Sequence, residues 1–132
     1  MNKQEIFNTV VGHLIKQNKQ SANVNGTCLY RGPNNTKCAF GILIPDEVYK
    51  PYMEGSTSTS ILVNQSKQNE IEEPLGISPD DYMFVRHLQR CHDNALTGKD
   101  LHLSLTTLGN RHRLDISILN SSNFPKIWSI PR

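Results

Sequence analysis

The stretch from Thr27 to Asp46, T-C-L-Y-R-G-P-N-N-T-K-C-A-F-G-I-L-I-P-D, constrains this chain more than any other. It packs two cysteines, an Arg, a Lys, a Gly-Pro-Asn-Asn turn and a closing apolar run into twenty residues. Pro presets φ for a turn, and Asn and Gly tolerate left-handed φ, so residues 32–35 read as a tight reversal. Cys28 to Arg31 favour an extended strand, and Lys37 to Ile44 read as its return. The expectation is a β-hairpin over about residues 27–44, with Cys28 opposite Cys38. Gly41 then marks a bulge or a close backbone approach. Pro45 ends the run, and Asp46 caps a short turn through Tyr49.

Elsewhere the signals are mostly helical. Asn2 caps a first helix, with Glu5 completing a capping box. Ile6, Val10 and Leu14 form one apolar row and Phe7, Val11 and Ile15 another. Residues 54–60 read as a Gly/Ser/Thr loop, 60–65 as one or two helical turns, and 66–73 as a polar, acidic segment. Ser78-Pro79-Asp80-Asp81 is the strongest helix start, with a hydroxyl cap, Pro in the first turn and two acids at the positive dipole end. That helix runs to about Asn94, with Phe84, Val85, Leu88, Cys91 and Ala95 inward. A further helix carries Leu101, Leu105 and Leu108 on one face. Leu114 to Leu119 alternates as a strand would. Phe124 to Arg132 is apolar but broken by Pro125 and Pro131, and reads as an extended arm. The fold class expected is α+β: one mainly helical domain over 1–132, with one hairpin and a C-terminal strand.

A chain of 132 residues is one domain's worth and buries a modest core without needing a cofactor or disulfide framework. Mean hydropathy is −0.48, and no apolar run approaches the roughly 20 residues of a membrane span. The amphipathic pattern begins at the N-terminus, where a secretory signal would carry a different one. Three cysteines are an odd number, which fits a reduced cytoplasm better than a secreted scaffold. The net charge of +2 hides a segregation: residues 1–40 hold five Lys/Arg against one acid, 41–85 two against eight, and 86–132 seven against three. That balance argues against a general nucleic-acid binder. It suits solvated faces or contact between unlike patches.

Several residue sets carry chemistry. Arg31, Asn34, Asn35 and Lys37 cluster donors around a turn, and Arg binds phosphate in a bidentate fork. Arg86 and Arg90, four apart on one helix face, and Arg111 with Arg113 are a second basic set. Cys28, Cys38, His92 and Asp93 are the residue types that hold zinc, although nine residues separate the two cysteines where zinc knuckles have two. A Cys-His nucleophilic pair would need Cys38 or Cys91 beside His87 or His92. Against it, Cys91 and His92 are neighbours on a helix and diverge by about 100°. His92 and Asp93 then read as a helix end bonded locally. Phe124, Ile127 and Trp128 in the arm are interface residue types and favour a homo-oligomer.

The pattern C-x-Y-R-G-P-N-x-x-K-C-A-x-G-x-L-I-P-D, followed by Tyr and Met53-Glu54-Gly55, resembles a family of short uncharacterised bacteriophage and prophage proteins. Leu88-Gln89-Arg90-Cys91-His92-Asp93, as L-Q-R-x-H-D, resembles the same family. The stretch after Leu114 is longer than that pattern leads one to expect. The family brings no established activity, so no catalytic residues are carried over. The resemblance implies a small non-catalytic binding protein in the host cytoplasm, antagonising a host or immune pathway. Its partner would be a host protein, occluded by the acidic middle or the apolar arm, or a nucleotide signal sequestered by Arg31, Lys37 and the basic C-terminal residues. The competing readings are a Cys28/Cys38/His92 metal-dependent enzyme or regulator and, third, a nucleic-acid-binding accessory protein.

Overall fold

The computed structural model describes residues 1–128. Four α-helices carry it: α1 (Lys3–Gln17), α2 (Ser58–Asn69), α3 (Tyr82–Asn94) and α4 (Gly98–Arg111). α3 lies at the centre and packs against the other three. The first helix starts as its sequence dictates: Asn2 Oδ1 accepts from the Glu5 amide at 2.8 Å, and Glu5 returns the bond to the Asn2 amide. Ile6, Phe7, Val10, Val11 and Leu14 are fully buried, so both apolar rows face the core. Ser78 caps the turn that leads into α3, again at the sequence-marked position. α2 is longer than the one or two turns expected. Thr57 caps it, and it reaches Asn69.

Among the described residues there is no β-strand, so the domain is all-helical and not α+β. The expected hairpin is replaced by successive tight turns. The reversal itself is there: Asn34 and Asn35 take left-handed φ of 57° and 62°, and the Gly32 amide donates to Thr36 O at 2.8 Å. The return strand is what fails. From Cys38 the chain coils, with amide bonds from Ile42 to Cys38, Leu43 to Phe40 and Ile44 to Gly41. A strand would turn alternate residues to solvent, yet Cys38, Ala39, Phe40, Gly41, Leu43 and Ile44 are all buried. A continuous apolar run fits a buried turn as well as a buried strand. Here the turn wins because it puts consecutive side chains into one core. Gly41 permits it, since a Cβ there would run into Tyr30 O. Cys28 pairs across a bridge with Ala22, not with Cys38.

The expected strand over 114–119 is a short 3-10 turn, Ser117–Asn120. Arg113 ends α4 in a left-handed conformation, φ 55°, and Asp115 Oδ1 caps the Ser117 amide at 2.9 Å. The alternating Ile116 and Ile118 sit half-buried on the core, and Leu119 is buried. The C-terminal arm packs on its own domain as far as it is described. Trp128 is 1% exposed, its indole Nε1 donates to His92 O at 2.9 Å, and its ring meets the His92 ring edge-on at 5.3 Å. Phe124 stands edge-on to His102. Of the three arm residues expected at an interface, only Ile127 is exposed. Residues 129–132 of the expected arm lie outside the described residues.

Candidate functional site

Arg31 is the most conspicuous donor in the sequence, and the fold consumes it. Its guanidinium donates to Gly41 O and Ile44 O, each at 2.7 Å, and to Tyr30 O at 3.3 Å. It also meets Asp46 Oδ1 at 3.1 Å and lies over the Tyr49 ring, 4.8 Å from its centroid. Lys37 Nζ reaches the same Asp46 oxygen at 3.3 Å. The two cations, Lys37 first, hold the Asp46 carboxyl below the ordinary carboxylate range. Arg31 therefore staples the turn 38–44, and its two terminal nitrogens are engaged within the chain. Asn34 and Lys37 share an open surface groove with His13 and Lys16, which Arg31 does not line.

Arg86 and Arg90 are placed differently. They lie one turn apart on the face of α3 that forms a wall of a cleft of about 280 Å³. Neither side chain makes a hydrogen bond or an ion pair with any described residue. Another wall is Gly55 to Ser58, the chain entering α2. Thr57 caps that helix by accepting from the Ser60 amide at 3.1 Å, and Thr57 and Ser58 line the cleft, so the positive end of the α2 dipole borders it. Ser58 in this wall is 2% exposed, and its hydroxyl has no hydrogen-bond partner. A buried polar atom left without a partner costs about 1–3 kcal/mol and is rare unless something else satisfies it. Cys28, Leu29 and Tyr30 supply a further wall, with the Tyr30 hydroxyl fixed by donating to Ser56 O.

The remaining wall residues, Gln89 and Asp93, continue the α3 face. Gln89 is locked on both sides, accepting from the Phe40 amide and donating to Asp93 Oδ1, each at 2.7 Å. Asp93 Oδ1 also receives His92 Nδ1 at 2.8 Å. Arg111 and Arg113, the other members of the second basic set, are exposed at the end of α4. Neither of them lines the cleft that Arg86 and Arg90 line.

The cysteines divide. Cys38 is fully buried, its Sγ accepts the Gly41 amide, and burial pushes its thiol up to about 12. Burial likewise pushes Cys91 up to about 11. Cys28 alone of the three joins His92, and it does so with Asp93 in place of Cys38: one ligand atom from each lies within 4.8 Å of the others. That trio has zinc-binding residue types, but the His92 ring is already spoken for. The Ser21 amide, which can only donate, bonds Nε2 at 3.1 Å, so the neutral ring carries its proton on Nδ1, toward Asp93. A metal at Nδ1 would move that proton to Nε2, against the Ser21 amide. A metal at Nε2 would displace the same amide. The residue types fit zinc and the hydrogen bonding does not. His92 closes the helix locally with Asp93, and it also anchors Trp128 and the loop at Gln20, whose side chain donates to His92 O.

The sequence marked Arg86 with Arg90, and Cys28 with Asp93, as two separate sets, and missed Ser58 and Gln89. The α2 entry hides in a Gly/Ser/Thr run that reads as loop. The fold and site together define a small all-helical domain with a partly cationic cleft at a helix N-terminus. Comparison with protein-family models, curated proteins and solved structures finds no match to this chain.

Proposed function

We propose that this domain is a small non-catalytic binding protein whose cleft holds an oxyanion, foremost a phosphate group on a small ligand. The observation that carries the reading is the convergence of two uncommitted arginines and an unpartnered buried hydroxyl on the entry of α2. A helix N-terminus presents amide donors and a partial positive charge, and Arg adds a charge-assisted fork. In the setting implied by the phage-family resemblance, this is sequestration of a nucleotide signal of the host. The site residues are Arg86, Arg90 and Ser58 in place of Arg31 and Lys37. Occlusion of a host protein has no comparable observation behind it.

The test is isothermal titration of the full chain with inorganic phosphate, pyrophosphate and a set of nucleoside phosphates. Arg86→Ala or Arg90→Ala is expected to weaken binding about 10- to 100-fold, the loss of one charge-assisted contact worth about 1.5–3 kcal/mol. Affinity should also fall as salt rises. No heat and no thermal shift with any of these anions at millimolar concentration would overturn the proposal.

A further inference from the structure

The face of α3 that lines the cleft changes sign along its length. Arg86 stands at one end and Asp93 at the other, seven residues and about 10 Å apart, with Arg90 between them three residues before Asp93. Asp93 is not idle ballast for the arginines, since no ion pair joins it to either. Its Oδ1 is held by His92 and Gln89, which fixes the carboxylate in place. Its Oδ2 takes no hydrogen bond from any described residue, and the side chain stays 34% exposed. One oriented acceptor thus remains, about two helical turns from Arg86 and less than one turn from Arg90.

Resting on the phosphate reading above, we infer that the ligand is bipolar: a phosphate at the Arg86/Arg90 end and an N–H donor edge at Asp93 Oδ2. An amino-purine nucleotide carries both groups, a phosphate for the arginines and an N–H edge for Asp93. A carboxylate meeting an N–H edge disfavours analogues without it, because the bound base then shuts water away from an acceptor it does not pair. The two ends of the cleft hold different duties: the arginines supply affinity for any phosphate, and Asp93 supplies the choice among them.

The experiment titrates the full chain with inorganic phosphate, GMP and purine riboside 5′-monophosphate, whose base has no N–H donor. GMP is expected to bind at least 10-fold more tightly than the purine riboside compound. Asp93→Asn is the second arm. Its Oδ1 keeps the bonds from His92 and Gln89, while an amide donor replaces Oδ2. It should erase the GMP advantage and leave the dissociation constant for inorganic phosphate within 2-fold. Equal affinity for the two nucleotides, or an equal loss for phosphate and GMP in Asp93→Asn, would overturn the bipolar ligand and leave the phosphate site standing. Failure of inorganic phosphate and both nucleotides to bind the unaltered chain would remove the phosphate site and the bipolar ligand together.

Discussion

Replacing Arg31 with Ala separates a fold-holding role from a ligand-holding one. The side chain is 18% exposed and makes two 2.7 Å charge-assisted bonds to the carbonyls of Gly41 and Ile44. Each bond of this kind is worth about 1.5–3 kcal/mol, and the two are not additive because water can reach part of the gap. Stacking on Tyr49 adds about 0.5–1 kcal/mol. The contact with the exposed Asp46 is solvent-screened and adds little. The expected loss is about 3–4 kcal/mol, a fall in Tm of about 12–16 °C for a domain of this size. Arg31→Lys should recover less than half, because one ammonium cannot reproduce the planar fork that spans both carbonyls. The assay is urea denaturation followed by far-UV circular dichroism, with phosphate titration of each variant below its transition. Unfolding free energy within about 0.5 kcal/mol of the parent would refute the staple. So would lost phosphate binding in a variant of parental stability.

Two further outcomes follow from buried groups. With the Cys38 thiol raised to about 12 in the fold and near its usual 9.0 when unfolded, the unfolded chain loses this proton first as pH rises. That contribution is fully present below pH 9 and should fall by about 1.4 kcal/mol per pH unit toward pH 12. Urea unfolding at pH 7, 9 and 10.5 measures the slope, and Cys38→Ala should flatten it by about that amount; an unchanged slope would count against the burial of this thiol. Trp128→Ala should cost about 3–5 kcal/mol for the emptied volume, while Trp128→Phe, which loses the bond to His92 O, should cost less. Oligomerisation changing with Trp128→Ala at parental stability would instead place the arm in a neighbouring chain.

The helices were legible because their ends and faces carry independent signals. Asn2 with Glu5, and Ser78 with Pro79, fix two starts, and the rows through Ile6 and Phe7 fix a face. α2 was legible only in part, since it buries just Ser58, Ile61 and Leu62 and so leaves almost no period to read. Around Pro33 the reversal was readable and its consequence was not. Whether Lys37 to Ile44 runs out or coils back depends on the Gly41 approach to Tyr30 O and on the grip of Arg31 on two carbonyls. Both residues are visible in the sequence, but their meeting is tertiary. For the same reason Arg31 looked like a ligand residue: a guanidinium beside a turn is equally suited to a phosphate and to the backbone of the turn itself.

The arginines then sort by what surrounds them, and that sorting is the argument for the cleft. Arg31 and Lys37 share Asp46, and Lys3 meets Asp81, so the cations nearest the turns are answered within the chain. Arg86 and Arg90 are not, although they stand four residues apart on one helix, where like charges cost about 0.2–0.5 kcal/mol. An acid follows at Asp93, yet the chain uses its Oδ1 to hold His92 and Gln89 and leaves the arginines without it. In the lining of the same cleft, Ser58 buries a hydroxyl with no partner at the entry of α2. Each of these is a small departure from local consistency, and such departures concentrate where a protein has a use for them. An oxyanion in the cleft would answer the paired positive charge and offer a partner to the orphaned hydroxyl at the entry of α2.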